Sequence, residues 1–249
     1  MQTGKILGIG AALSAGLLAA NVASASVQLE VFDSGTPTSI TLTNLGSGVY
    51  SAKSTSSGNY SWSSLEVSVL GPGALGFSVE GLSYSGSVTA SASFLATGTG
   101  FTYLNASPEL YSTGGGGYTG PSTYVFMSQE GYAAASNSAF VTSDDSTGGP
   151  YPSTPAGGGT FTASSGYNKS VTDLHATGYS LTYAANFAFE YPGINEGNTF
   201  GTAADPAGGT VSILGGTASA VTLPGSGPLT VVGGLVLVGG LAIRRRMKV

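Results

Sequence analysis

Hydrophobic and polar residues alternate along most of the chain between residues 26 and 222, as they do in strands that bury one face. The clearest runs lie at 27–31, 65–69, 88–94 and 181–191. In the run at 181–191 the positions between the apolar residues are only partly polar. This predicts a strand that crosses the centre of a sheet. Further short strands are predicted at 40–45, 77–84, 101–104, 124–127, 139–142, 170–175, 210–214 and 218–223. No helical period lasts beyond two turns in this region, so the pattern predicts an all-β fold, a single antiparallel β-sandwich or jelly-roll-like domain.

Three glycine-rich segments predict turns or loops between these strands. Residues 143–165 hold Pro150, Pro152, Pro155 and a run of three glycines, which predicts a long exposed loop. Residues 114–117 are four consecutive glycines and predict a second, flexible loop. Residues 71–76 match the G-x-G-x-x-G pattern of dinucleotide sites, but a strand follows where such a site needs a helix. We therefore predict a simple turn between two strands there.

The N-terminus has the three parts of a secretory signal peptide. Lys5 supplies a positive charge, residues 6–20 are apolar, and Ala23 and Ala25 place small side chains where a signal peptidase needs them. The apolar run is shorter than the roughly 20 residues that span a bilayer. The sequence therefore predicts that residues 1–25 are removed after Ala25.

The C-terminus carries a second tripartite signal. Its first part is a short motif rich in Pro and Gly, which cannot continue a helix or a sheet and is expected to be accessible to a peptidase. A charge-free apolar run at 229–243 follows and predicts a transmembrane helix. The basic tail at 244–249 then predicts a cytoplasmic C-terminus, with residues 26–222 outside. The motif consists of Leu223, Pro224, Gly225, Ser226, Gly227 and Pro228, and the basic residues are Arg244, Arg245, Arg246 and Lys248.

This order of motif, apolar span and basic cluster resembles the C-terminal sorting signals of the PEP-CTERM class, which exosortases read. Pro224, Ser226 and Gly227 look most like the VPDSG variant of that class, although Leu223 and Gly225 depart from it. The resemblance implies sorting and processing by an exosortase-like enzyme. The motif also fits the sortase pattern L-P-x-T-G if Ser226 replaces Thr, which would imply attachment to a cell wall.

The distribution of charge separates the two terminal targeting segments from an acidic exported region. All twelve acidic residues lie between 26 and 222, with only Lys53 and Lys169 as basic residues there. Such a surface repels nucleic acid, so a nucleic-acid partner is excluded. The expected partners are signal peptidase and the export translocon, the exosortase-like enzyme, the inner membrane through the C-terminal helix, and an extracellular polysaccharide. The chain has no Cys and so no disulfide or thiolate metal site.

Candidate catalytic groups are few. His175 is the one His of the chain and follows Asp173, but no G-x-S-x-G elbow accompanies them. Asp144 and Asp145 lack the spacing of a calcium loop. We therefore expect no catalytic residues, no cofactor and no metal site. Carboxylates that would suit glycoside hydrolysis exist without any pattern that pairs them, namely Glu66, Glu80, Glu109, Glu130, Glu190 and Asp173.

An aromatic cluster provides an alternative function. Trp62, the one Trp of the chain, lies close in sequence to Tyr60 and Tyr50. If exposed, these rings would form a platform on which sugars stack; a single Trp is also often a core residue. The alternative function is therefore a carbohydrate-binding surface module.

The sequence as a whole predicts a non-catalytic exported protein of the cell surface or extracellular matrix, first anchored by its C-terminal helix and then released to the surface by processing. A sortase-anchored wall protein is a further alternative. The predicted segments are a signal peptide at 1–25, the β-sandwich at 26–216, a linker with the sorting motif at 217–228, the transmembrane helix at 229–243 and the tail at 244–249.

Overall fold

The computed structural model describes residues 26–33, 35–71, 73–86, 89–102, 107–120, 125–157, 159–168, 171–174, 178–189 and 198–215. Within these ranges every regular element is a β-strand. No helix found there has the length and apolar character needed to cross a membrane. The predicted signal peptide, linker, sorting motif, transmembrane helix and basic tail all lie outside the described residues, as does the predicted strand at 218–223.

The strands follow one another with short connections. Their bounds are β1 Ser26–Asp33, β2 Thr36–Ile40, β3 Thr43–Gly46, β4 Val49–Ser57, β5 Tyr60–Gly71, β6 Ala74–Glu80, β7 Leu82–Tyr84, β8 Ala90–Phe101, β9 Pro108–Thr119, β10 Val125–Ala134, β11 Asp145–Ser146, β12 Tyr151–Ser153, β13 Pro155–Gly157, β14 Thr160–Asn168, β15 Tyr179–Phe189, β16 Thr199–Phe200 and β17 Ala207–Gly215.

Two antiparallel sheets contain all of these strands. The seven-stranded sheet has the order β11-β10-β15-β8-β1-β2, and β12 also pairs with β10. The ten-stranded sheet has the order β13-β14-β9-β16-β7-β5-β4-β3. In the middle of the second sheet, β17 pairs with β9 on one side and with β6 on the other, and β6 pairs with β5. The prediction of a central strand at 181–191 is confirmed for residues 181–189, because β15 lies between β10 and β8; residues 190 and 191 lie outside the described ranges.

Aromatic side chains fill the space between the two sheets. The ring centroid of Phe94, on β8, lies 5.4 Å from that of Phe77, on β6 in the other sheet. The rings of Phe187 and Phe200 meet across the sheets at 5.0 Å in an edge-to-face arrangement. Contacts of this kind add to the free energy that burial of the rings already contributes. The all-β prediction is confirmed, and the two facing sheets are consistent with a β-sandwich.

The alternation seen in the sequence corresponds to burial on the strands. Leu65 and Val67 on β5 are fully buried and Val69 is 8% exposed, while Glu66 and Ser68 between them are only half-buried. The turn predicted at 71–76 is confirmed in part: β5 ends at Gly71 and β6 returns antiparallel from Ala74, so residues 74–76 already belong to the second strand.

The two predicted loops are wrong. Residues 114–117 lie within β9, and a Cβ placed on Gly114 would stand 2.6 Å from Cγ of Gln129 and 2.8 Å from the hydroxyl of Tyr183. Gly114 therefore provides space for side chains of the facing sheet, while Gly116 and Gly117 lie close to the backbone of Pro206 and Asp205. Residues 143–165 hold the short strands β11, β12 and β13 and the start of β14, and Asp145–Ser146 pairs with β10.

The predicted strand at 139–142 is also wrong. These residues form a turn and an irregular segment, and Phe140 has a φ of 59°. A bulky side chain rarely adopts this left-handed backbone, and no strand contains it. The segment instead crosses the end of the seven-stranded sheet, where it contributes to the site described next.

Candidate functional site

The first residues of β1 form an open strand edge. Pairing between β1 and β2 ends at Leu29 and Ile40, whereas β1 begins three residues earlier, at Ser26. On its other side β1 stays paired with β8 as far as Ser26. Beyond Ile40 the chain leaves the seven-stranded sheet and enters β3, an edge strand of the other sheet. Among the described strands, none covers residues 26–28 on the β2 side.

A cleft of about 220 Å³ opens at this edge. Leu29 at its base is 1% exposed, while Gln28, Ser39 and Asn44 at its rim are exposed to solvent. The cleft therefore connects the outside with the mouth of the core between the sheets. Its lining residues are Val27, Gln28, Leu29, Ser39, Ile40, Leu42, Asn44, Tyr50 and Phe140.

Tyr50 forms the wall contributed by the ten-stranded sheet. It pairs with Val67, which is fully buried, so both side chains point toward the core. Tyr50 itself is half-buried and packs against the hydrophobic core. On the neighbouring strand, Asn44 is the register partner of Tyr50, and its Oδ1 accepts a hydrogen bond of 2.8 Å from the N–H of Gly46. This bond fixes the turn that holds Asn44 beside the ring.

Phe140 is held in its unusual backbone conformation by the strands beneath it. Its N–H donates to Oγ1 of Thr97 over 3.2 Å, and Thr97 is hydrogen-bonded to Thr182 over 2.8 Å. Earlier in the same segment, Oδ1 of Asn137 accepts a 2.6 Å hydrogen bond from the N–H of Gly100. Strained backbone of this kind persists only where the surroundings determine it, and it is concentrated at functional sites.

The cleft is uncharged, and acidic residues far outnumber basic ones in the described part of the chain. None of its lining residues carries a charge. The described ranges hold ten of the twelve acidic residues but only one basic residue, Lys53. An anion entering the cleft would therefore meet repulsion from the surface and find no cation inside. The cleft suits a neutral ligand.

The predicted stacking platform is wrong. Trp62 is 3% exposed and Tyr60 is 1% exposed, so neither ring is accessible to a sugar. Trp62 packs edge-on against Phe94 at 5.9 Å, and Tyr60 packs against Tyr84 at 4.9 Å. Burial raises the pKa of the Tyr60 hydroxyl, and the negative charge of Asp33 raises it further. Of the three aromatic residues considered, only Tyr50 lines the cleft.

The structure does not bring the candidate acids together around a cleft. Glu66 on β5, Glu80 on β6 and Glu109 on β9 belong to the ten-stranded sheet, whereas Glu130 on β10 belongs to the other sheet. Asp173 is exposed, and His175 and Glu190 lie outside the described residues. In the part of the chain that the structure describes, no three Asp, Glu or His side chains are arranged to hold a metal ion.

The carboxyl group of Asp145 makes the stability of the fold depend on pH. Burial raises its pKa above the usual range, and the charges of Asp144 and Asp173 act in the same direction. The N–H of Thr172, which donates to Oδ2 of Asp145 over 2.9 Å, opposes this shift. Because the folded state holds the proton more tightly than the unfolded chain, this group stabilises the fold below about pH 4 and loses that contribution as pH rises through its raised pKa.

We therefore expect Asp145→Asn to raise the melting temperature at pH 7, because the amide is neutral and its oxygen still accepts from Thr172. The gain should shrink as pH falls toward about 4, where the native carboxyl is protonated as well. Thermal unfolding of both proteins across this pH range measures the difference. A gain that is the same at every pH would contradict the assignment.

Sequence reasoning missed most of the cleft. It considered Tyr50 only as a companion of Trp62, and it placed Phe140 in a strand. The lining residues come from four separate stretches, and each contributes one wall. A run of apolar residues at 139–141 gives no local sign of a left-handed backbone, so no signal in the sequence marks Phe140.

Comparison with known proteins gives little further information. No protein-family model matches the chain, and no curated protein matches it. Among solved structures, the chain is similar to the enzymatically active domain of tailspike protein 4 from bacteriophage CBA120. The sequences are 11% identical, the TM-score is 0.25, and the match covers 78% of this chain and 19% of that one. The chain thus spans about a fifth of the length of the tailspike domain.

The prediction that the chain is not an enzyme is corrected by this comparison, because the matched domain is described as enzymatically active. At a TM-score of 0.25 the likeness transfers no activity, substrate or residue role to this chain. The exclusion of catalysis is withdrawn, and no activity is assigned in its place.

Proposed function

We propose that the chain is an exported protein of the cell surface or extracellular matrix, whose C-terminal signal is processed by an exosortase-like enzyme. The observation that carries this proposal is the order of segments in the sequence: an apolar run that ends in small residues at Ala23 and Ala25, an acidic region, and then the Pro/Gly motif, the apolar run at 229–243 and the basic tail. The described strands lie in the acidic region between these segments. We further propose that the two sheets form a single β-sandwich domain between the two terminal targeting segments.

The way the strands are joined also suits an extracellular setting. Side-chain hydroxyls pair between strands at exposed positions, as in Ser61 with Ser83 at 2.9 Å and Thr119 with Thr199 at 2.5 Å. These groups are uncharged and do not titrate between pH 2 and 12, so salt does not screen them and pH does not break them. Hydroxyl pairs of this kind hold strands together without the disulfides that the chain lacks.

The proposal predicts the mass of the mature protein. Material isolated from the cell envelope or medium is expected to begin at Ser26 and to end between Pro224 and Gly227. Intact-mass measurement and sequencing of the terminal peptides check both ends. Pro224→Ala, which changes the motif and leaves the β domain untouched, should retain residues 229–249.

Two results would decide against this function. Native protein that still carries residues 229–249 would contradict processing, and native protein found only inside the cell would contradict export. Covalent linkage of the mature protein to the cell wall would favour the sortase alternative over the exosortase-like one.

A further inference from the structure

We propose that the cleft at the open edge of β1 binds one neutral pyranose ring of an extracellular polysaccharide. This inference rests on the proposed function, because only an exported protein meets such a polymer. The aromatic rings of this site are those of Tyr50 and Phe140. Trp62 and Tyr60, which the sequence suggested as the sugar platform, are buried and take no part in it.

The size of the cleft suits a single ring. Its volume is about 220 Å³. Sites for drug-sized ligands are larger, at about 300–1,000 Å³. A peptide strand is a poor occupant as well, because within the described residues the open edge of β1 comprises residues 26–28 and pairing with β2 begins at Leu29. Strands in proteins usually pair over about five or six residues.

Charge excludes the acidic sugars and lipids. The lining has no Lys, Arg or His that could pair with a uronate, a sulfate or a fatty acid carboxylate. Because the acidic residues outnumber the basic ones by ten to one in the described ranges, an anion would also be repelled before it arrived. A neutral hexose meets neither obstacle.

The mixture of side chains matches the two sides of a sugar ring. A pyranose has an apolar face of C–H groups and a rim of hydroxyls. In the cleft, Tyr50 and Phe140 offer aromatic surface, while Gln28, Ser39 and Asn44 at the rim bring amide and hydroxyl groups. A purely apolar ligand would remove water from these rim groups without replacing its hydrogen bonds, which is unfavourable.

The position of Phe140 is set before any ligand arrives. Its N–H is bonded to Thr97, and Asn137 fixes the same segment to Gly100, so the aromatic wall needs little ordering on binding. A wall that is already in place loses less entropy when the ligand binds, which raises affinity. A φ of 59° at a bulky residue therefore has a role here that it would not have in an ordinary surface turn.

The test compares two aromatic substitutions in the full-length chain, purified so that binding does not depend on where the protein is found. Phe140→Asn removes the ring, and Asn adopts a left-handed backbone readily, so the fold should be retained. Phe126→Ala is the matched control, since Phe126 is 40% exposed on β10, three strands away from β1 in the same sheet. Calorimetry measures binding of cellohexaose, maltohexaose, mannohexaose and galactohexaose, with oligogalacturonate as the anionic probe and 1-octanol as the apolar one.

We expect at least one neutral hexasaccharide to bind, oligogalacturonate to bind at least tenfold more weakly, Phe140→Asn to weaken binding at least tenfold, and Phe126→Ala to leave it unchanged. Absence of binding to every neutral probe overturns the inference. So does equal loss in both variants, equal binding of oligogalacturonate, or binding of 1-octanol alone. Failure here leaves the terminal masses of the exported protein unaffected, so it is distinguishable from failure of the proposed function.

Discussion

Phe94→Ala is expected to lower the free energy of unfolding by about 3 to 5 kcal/mol, the usual loss when a buried Phe is truncated. Phe94 is fully buried on β8 and its ring meets Phe77 and Trp62 of the opposite sheet. It also contacts Phe187 on the neighbouring strand at 5.8 Å. Removing this ring leaves a cavity at the point where the two sheets are joined. Urea unfolding followed by the fluorescence of Trp62 measures the loss.

Phe126→Ala provides the comparison for this result. Its ring is 40% exposed, so truncation should change the free energy of unfolding by only about 0.5 kcal/mol. Similar losses in the two variants would contradict a core that both sheets share.

Gly209→Ala is expected to cost about 3 kcal/mol or more, or to prevent folding. An added Cβ would lie 1.8 Å from the carbonyl oxygen of Thr113 and 2.2 Å from the hydroxyl of Tyr183. The first atom belongs to β9, which is paired with β17 along most of its length, and the second belongs to a fully buried side chain. Neither can move away without breaking the sheet or the core, which makes this an extreme case of overpacking.

Gly71→Ala is the matched control for the crowded position. It is also a strand glycine, but an added Cβ there would meet nothing within 4 Å. We expect its stability to be unchanged or raised by up to about 1 kcal/mol, because Ala reduces the entropy of the unfolded chain. Thermal unfolding of the two variants tests the pair. If Gly209→Ala melted like Gly71→Ala, the close approach of Tyr183 to β17 would be wrong.

The strands were predictable because a period of two residues is a local property. Residues 65–69 and 183–189 alternate both in the sequence and in burial. Near the start of β15 the alternation of burial fails, because Thr182 is buried together with Leu181 and Tyr183. The glycines at 114–117 were not predictable in the same way, since glycine serves both flexible loops and crowded strands. The two uses are distinguished by contacts with residues far apart in sequence, namely Gln129 and Tyr183 of the other sheet at Gly114 and the backbone of Asp205 at Gly117.

The site was less predictable than the fold. On β5 the buried positions are Tyr60 and Trp62 at one end and Leu65, Val67 and Val69 at the other, so the phase of burial changes between residues 62 and 65. An unbroken alternation would place Trp62 on the face opposite Leu65, so the alternation at 65–69 does not predict that Trp62 is buried. The cleft depends on where β2 stops pairing with β1, and hydrophobic patterning does not encode that endpoint.

The place of β17 in the ten-stranded sheet also determines when the domain can finish folding. β9 and β6 do not pair with each other along this stretch, and the last described strand of the chain lies between them. A protein that leaves the cell N-terminus first would have its other strands outside before residues 207–215 complete this sheet. Such late, long-range pairing is typical of slowly folding β proteins, at about milliseconds to seconds. The order of the strands would thus delay completion of the core until almost the whole domain has emerged. Until then the chain would stay unfolded enough to pass through a narrow channel.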